Sequence, residues 1–183
     1  MYIITDYTMV YNPRLGYFII DHYDYDKSHT NLCPICGDSL TYRDSRPRIY
    51  RRYNGQKEHI LIRRMRCSRC RCLHNEIPDC IVPHKHYASE IIENVLDQVS
   101  TPDNKTTEDN PCEQTMNRWK AWWLANHSQC IGILNSLFVQ FTELFDPWPS
   151  VMVWMENLHK EGCGWFPLIY RLIVNSNHRL ICT

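Results

Sequence analysis

Residues 33–37 read CPICG and residues 67–70 read CSRC, so the chain carries two CxxC pairs separated by thirty residues. In a CxxC turn both thiolates can point at one ion, and a glycine after the second cysteine lets the backbone turn beneath it. Two such turns at the ends of paired strands complete a tetrahedral sulfur site, with Zn–S distances of about 2.3 Å. The spacing therefore predicts a small zinc ribbon of antiparallel strands that holds one structural Zn²⁺, with four ligands: Cys33, Cys36, Cys67 and Cys70.

The second CxxC pair leaves a choice of ligand, because Cys72 and His74 lie close enough along the chain to replace Cys70. A redox-active CxxC is another use of the motif, but it belongs to a βαβ context that the flanking sequence lacks. With four sulfur ligands and no open position, the ion would stabilise the fold rather than take part in catalysis. We expect the ribbon to depend on its metal, since a module of this size buries little apolar surface.

The sequence between the two pairs predicts strands. SLTYRD (39–44) and PRIYRRY (47–53) would pair with HILIRRMR (59–66) across Asn54-Gly55, a dipeptide typical of tight hairpin turns. Two further short strands, TMVY and RLGYFIIDHY, are predicted before the cysteines, on either side of a turn at Asn12-Pro13.

After the cysteines the apolar period changes to that of helices. Asn110 is the predicted N-cap of the second helix, with Pro111 at its first position. The predicted helical stretches are 88–96, 110–126, 131–145, 150–160 and 165–174. The fold class is therefore α+β, a four-Cys zinc ribbon followed by an all-helical C-terminal bundle, with domains at 1–86 and 87–183.

The formal net charge is zero, yet the charge is distributed unevenly. Residues 33–86 hold twelve Lys and Arg against five Asp and Glu, while the rest of the chain holds eight against fifteen. Zn²⁺ with four thiolates carries a charge of about −2, so a basic face could simply offset it, but a positive surplus remains. The surplus favours a polyanion, and arginine suits phosphates and guanine edges. The arginines expected to contact double-stranded DNA are Arg43, Arg46, Arg48, Arg51, Arg52, Arg63 and Arg64.

The helix after Pro111 begins with three further candidates for DNA contact, Thr115, Arg118 and Lys120. The first turns of a recognition helix present such side chains to the major groove. A helix buried in the core is the alternative, because its tryptophans favour burial and its preceding linker is longer than that of a true helix-turn-helix. A helix-turn-helix-like element over 87–125 is thus one interpretation of this region.

These motifs together resemble those of small bacterial zinc-ribbon proteins that are encoded beside transposases in mobile elements. They also resemble the N-terminal zinc-ribbon and helix-turn-helix portion of some transposases. The matching positions are Cys67, Cys70, His74, Ile77-Pro78, Val82-Pro83-His84-Lys85 and Tyr87, followed by Pro111, Cys112, Thr115, Arg118 and Trp119. The resemblance covers roughly residues 33–125 and departs from the family at His84, where Tyr is usual, and at Cys112, where Ser is usual. It implies DNA binding in a transposition context, in a bacterial cytoplasm and near the nucleoid.

No set of spaced carboxylates indicates a nuclease or transposase, and His84 and His86 are too few for an HNH site, so we expect no enzymatic activity. No apolar run approaches the roughly 18 residues of a membrane helix, and the N-terminus lacks the features of a signal peptide, so we expect a cytoplasmic protein with reduced thiols. The main hypothesis is a DNA-binding accessory protein of a mobile element. The alternative is an adaptor that docks a transposase or host factor through its acidic, Trp-rich helical half.

Overall fold

The computed structural model describes residues 2–5, 9–14, 17–20, 32–52, 55–103, 111–142, 150–161, 164–178 and 180. Within this part of the chain the fold is mixed α/β. The strands are β1 (Tyr2–Thr5), β2 (Met9–Asn12), β3 (Tyr17–Ile20), β4 (Leu40–Arg51), β5 (Lys57–Cys67) and β6 (Leu73–Pro78). The helices are α1 (Ser89–Leu96), α2 (Glu113–Thr142), α3 (Val151–Glu161) and α4 (Trp165–Asn175).

The β4–β5 hairpin between the two CxxC pairs is the longest strand pairing among the described residues. Its antiparallel register runs from Leu40 opposite Cys67 to Arg51 opposite Lys57. The two predicted strands before the turn are one twelve-residue strand, interrupted only by a register shift at residues 42–44. Tyr53 and Asn54 of the predicted turn lie outside the described residues, but Gly55 has a φ of 66°, a conformation that glycine adopts without strain.

The sheet extends well beyond the predicted antiparallel ribbon. Its strands follow the order β1-β6-β5-β3-β2, and β4 pairs with the other edge of β5. The pairs β1–β6 and β3–β5 are parallel, so the sheet is mixed. The sequence did not predict β1, because a parallel partner far away in the chain leaves no local turn signal.

One hydrophobic core joins the sheet to the helices. Ile60 and Ile62 on β5 are fully buried, and they belong to the same cluster of packed side chains as Trp122 on α2 and Phe166 on α4. The core therefore runs across the predicted domain boundary at residues 86 and 87. No described helix combines the length and the apolar character needed to cross a membrane.

The second and third predicted helical stretches form a single helix of 30 residues, α2. Near its middle the buried Asn126 side chain donates a 2.7 Å hydrogen bond to the carbonyl of Trp122 one turn earlier, which satisfies a polar group on the core face. The helix begins at Glu113, where the carbonyl of Cys112 accepts the N–H of Met116 at 3.1 Å. The predicted N-cap, Asn110, lies outside the described residues.

Glu93 on α1 fixes the start of α4. Its two carboxylate oxygens accept the backbone N–H groups of Gly164 at 2.9 Å and Phe166 at 3.1 Å. Gly164 has no side chain that could cap α4, so Glu93 supplies the acceptors that an N-cap residue normally provides. Burial raises the pKa of Glu93, and the two N–H donors oppose that rise.

We predict that Glu93→Ala lowers the free energy of unfolding by about 1–3 kcal/mol, because buried N–H groups lose their acceptor. Glu90→Ala, at an exposed position on the same helix, should cost less than about 1 kcal/mol. Urea unfolding followed by circular dichroism measures both variants. Equal losses would show that Glu93 does not act as the cap of α4.

Candidate functional site

Four cysteine sulfurs converge at the end of the β4–β5 hairpin. The Sγ atoms of Cys33, Cys36, Cys67 and Cys70 all lie within 4.8 Å of one another. The Cys33–Cys70 and Cys36–Cys67 sulfur pairs are 3.6 and 3.4 Å apart. Four sulfurs bound tetrahedrally at about 2.3 Å would be about 3.8 Å apart, close to what is seen. The four residues predicted as ligands are therefore arranged so that they can hold one metal ion.

The two CxxC turns share the same backbone geometry. In each pair the first cysteine donates its N–H to the carbonyl five residues later, at 2.8 Å and 3.0 Å. Each pair is followed by a residue with positive φ, Gly37 at 72° and Arg71 at 62°. A hydrogen bond of 3.2 Å from the N–H of Ser68 to the carbonyl of Ser39 joins the two turns. The backbone thus presents four thiols to one point even though only the first turn contains the favoured glycine.

Of the residues that could replace Cys70, neither is a member of the four-sulfur cluster. The carbonyl of Cys72 accepts the Cys67 N–H, so this residue shapes the turn. His74 is fully buried, and its Nε2 lies 3.4 Å from the sulfur of Cys33. From there the imidazole can donate a hydrogen bond to a metal-bound thiolate, as outer-shell partners commonly do. Burial lowers the pKa of His74, which favours its neutral form.

The Cys67 thiol is prepared for metal binding by its hydrogen bonds. Burial raises its pKa, yet the backbone N–H of Cys70, at 3.4 Å from the sulfur, and the thiols of Cys36 and Cys70 outweigh burial and bring the pKa to about 7. The lowered pKa favours the thiolate, which is the form that binds metals.

A second feature, which we call the basic cleft, lies between β4 and the start of α2. It consists of two cavities of about 340 and 350 Å³ that share His84 and His86. The first cavity is also lined by Tyr2, Arg46, Pro47 and Arg48, and the second by Lys85, Tyr87, Thr115, Arg118 and Trp119. Among the lining residues that the structure describes, none is an aspartate or glutamate.

Arg48 and Arg51 of β4 hold the turn at residues 82–88, which carries His84 and His86. One guanidinium nitrogen of Arg48 donates to the carbonyls of Val82 at 2.6 Å and Lys85 at 2.7 Å. The backbone N–H of Arg51 donates to the carbonyl of His86 at 2.8 Å. The turn is thereby fixed to the strand at two points.

The same turn contacts α2 on its other side. The ring of Tyr87 packs edge-on against Trp119 with centroids 5.1 Å apart, and the ammonium of Lys85 lies 4.8 Å from the ring centroid of Trp122. These contacts place the beginning of α2 opposite β4. The cleft is therefore bounded by a strand, a turn and the start of a helix that are far apart in the sequence.

Five arginines predicted to contact DNA have partners within the fold. Arg52 pairs with Glu58 at 3.0 Å and Arg43 with Asp44 at 3.7 Å. Arg48 holds the turn, as described above. Arg63 forms a 2.5 Å ion pair with Glu76, whose side chain is fully buried, and Arg64 binds both carboxylate oxygens of Asp44. These guanidinium groups stabilise the sheet and its turn.

Three other predicted residues, Arg46, Thr115 and Arg118, line the basic cleft together. Arg46 lies opposite Ile62 in the β4–β5 register, so the two side chains are on the same face of the sheet, the face that packs against the helices. The remaining predicted residues, outside the cleft, are Arg43, Arg51, Arg52 and Lys120. Sequence reasoning did not assign His84, Lys85 and His86 to a site. The signal in the sequence was that these three consecutive side chains are all basic or imidazole groups, a pattern typical of an anion-binding segment.

We predict that Co²⁺ added to the metal-free protein gives the near-ultraviolet thiolate-to-metal charge-transfer absorption of a tetrahedral four-sulfur site. Cys70→Ser should weaken this absorption and shift the visible bands, because an oxygen replaces one of the sulfurs. Cys72→Ser is the matched control and should leave the spectrum unchanged. A spectrum that changes with Cys72 and not with Cys70 would contradict the assigned ligand set.

Comparison with known proteins adds a family match over part of the chain. Neither a curated protein nor a solved structure matches the sequence. Residues 33–119 match a family model that is described as a domain of unknown function, DUF6431. The matched region begins at Cys33 and ends at Trp119, so it contains the four-cysteine cluster, the β4–β5 hairpin, the turn at 82–88 and the start of α2.

Proposed function

We propose that this protein binds double-stranded DNA in the basic cleft and that one structural Zn²⁺ at the four cysteines stabilises the hairpin that forms the strand wall of the cleft. The observation that carries this proposal is the lining of the cleft: three arginines, a lysine and two histidines, with no carboxylate among the lining residues that the structure describes. Such a surface attracts polyanions, and the phosphates of duplex DNA present closely spaced negative charges.

Zinc is the metal that fits the four-cysteine cluster best. Soft thiolate ligands in tetrahedral arrangement select zinc or an iron–sulfur cluster, and four sulfurs that converge on a single point suit one Zn²⁺. With four protein ligands the ion has no open position, so it would stabilise structure and not activate water. The function that we propose is therefore DNA binding without catalysis.

The two walls of the cleft suit different parts of a duplex. Arg46 on the strand side can donate charge-assisted hydrogen bonds to phosphate oxygens. Thr115 and Arg118 are on the first turns of α2, the part of a helix that reaches a groove or its flanking phosphates. The resemblance to transposase-associated ribbon proteins supports the DNA of a mobile element as the target and a bacterial cytoplasm as the location.

We predict that the zinc-loaded protein binds random duplex DNA at low salt and that the affinity falls steeply as salt increases, because each neutralised phosphate releases counterions. Arg46→Ala combined with Arg118→Ala should weaken binding by about tenfold or more and reduce the salt slope by about two, one for each lost phosphate contact. Fluorescence anisotropy at low and physiological salt measures both quantities.

Lys160→Ala is the matched control, since Lys160 is an exposed cation on α3 outside the cleft. It should bind DNA as the native protein does. Absence of binding at low salt would rule out the DNA function. An equal loss in the control would place the contact elsewhere on the protein.

A second candidate function is an adaptor that docks a transposase or another protein of the mobile element. Exposed aliphatic side chains on α2 and α3 favour it, with Leu124 at 79% and Val139 at 62% exposure. In contrast, Trp119, Trp122 and Trp165 are buried, so these tryptophans do not offer the anchors that the sequence suggested. An adaptor would show no DNA affinity at low salt and would lose its partner when Leu124 is changed to Ser.

A further inference from the structure

We infer that the cavity between β4 and the turn at residues 82–88 is a preformed binding pocket for a single phosphate group. We call this cavity the phosphate pocket, and it is the part of the basic cleft lined by Tyr2, Arg46, Pro47, Arg48, His84 and His86. The identity of the bound group rests on the proposed function, because in a DNA complex the pocket would hold a backbone phosphate.

The charges around the phosphate pocket call for an anion. Arg48 uses its Nη2 for two carbonyls, while its buried Nη1 has no hydrogen-bond partner among the described residues. Burial lowers the pKa of Arg48, the nearby Arg46 guanidinium also lowers it, and no carboxylate of a described residue is among the groups that shift it. A buried donor without an acceptor is costly, and a phosphate oxygen is the kind of acceptor that relieves it.

Arg46 adds a second guanidinium at the mouth of the same pocket. It is exposed and forms no salt bridge within the described part of the chain, although the Asp44 carboxylate, which pairs with Arg64 and Arg43, interacts with it electrostatically at longer range. Two guanidinium groups side by side repel each other, so each favours a shared anion over an empty pocket. The imidazoles of His84 and His86 complete the lining with further polar nitrogen atoms.

The pocket is rigid enough to bind without rearrangement. Its floor is a β-strand, and its opposite wall is fixed by the two Arg48 hydrogen bonds of 2.6 and 2.7 Å. His84 has a φ of 63°, and its ring packs edge-on against Tyr2 with centroids 5.2 Å apart. A positive φ in a residue other than glycine persists only where the surroundings impose it. Preorganisation of this kind lowers the entropy cost of binding a small anion.

The test uses the zinc-loaded full chain and inorganic phosphate as the probe, followed by NMR of the backbone amides and the histidine rings. We expect saturable shifts at His84 and His86. Arg46→Ala should weaken phosphate binding by about tenfold or more, as expected for a lost charge-assisted hydrogen bond. Arg43→Ala is the matched control, because Arg43 is an exposed arginine on the same strand outside the pocket, and it should change the affinity by less than about twofold. His86→Ala gives a second pocket variant.

Absence of saturable shifts with phosphate would overturn the pocket, whether or not the protein binds DNA. Equal weakening in the Arg43 and Arg46 variants would also overturn it, because general surface charge would then explain the binding. If phosphate binds but duplex DNA does not, the DNA function fails and the pocket stands.

Two competition experiments identify the source of the phosphate. If a duplex without terminal phosphates displaces inorganic phosphate, the pocket binds a backbone phosphodiester. If a nucleoside monophosphate displaces inorganic phosphate and the duplex does not, the pocket binds a free phosphomonoester. Either displacement supports a phosphate pocket, and failure of both competitors would contradict it.

Discussion

The hydrogen bonds from Arg48 to the carbonyls of Val82 and Lys85 are the interaction on which the arrangement of the cleft depends. A charged donor binds backbone acceptors more strongly than a neutral one, and burial of this pair limits competition from water. The turn held in this way presents His84 and His86 to one side and Tyr87 to α2 on the other. Without Arg48 the turn would be joined to β4 only through its backbone hydrogen bonds to Arg51.

The four-cysteine cluster lies at one end of the same β4–β5 hairpin. The cluster lies at the Leu40–Cys67 end of the hairpin, and Arg46 lies six residues further along β4. At about 3.3 Å per residue this places the cluster about 20 Å from the cleft, too far for a bound ion to contact a ligand there. The ion would act on the cleft through the strand, by fixing one end of a hairpin whose middle provides Arg46 and Arg48. The four cysteines and the residues of the cleft thus occupy separate parts of one basic hairpin.

Local patterns in the sequence were sufficient for part of this structure. The two CxxC pairs predicted the residues that converge, because four thiols brought together by one hairpin need only the pairing of its strands. The apolar periods predicted α1, α3 and α4 within a few residues. Two features depended on contacts that no local pattern encodes: the parallel pairing of β1 and the approach of the turn at 82–88 to β4. Composition also treated all arginines alike, whereas in the structure the carboxylates of Glu76, Asp44 and Glu58 pair with Arg63, Arg64 and Arg52.

The central claim, that duplex DNA occupies the basic cleft, is tested most directly by chemical-shift mapping of the isotope-labelled, zinc-loaded protein with a short duplex. Our account predicts the largest shifts at the side chains of Arg46 and Arg118 and at the backbone of residues 84–87, with little change on α3. Shifts concentrated on α3 and the exposed face of α2, with none at residues 84–87, would contradict it and would show that the helices form the binding surface.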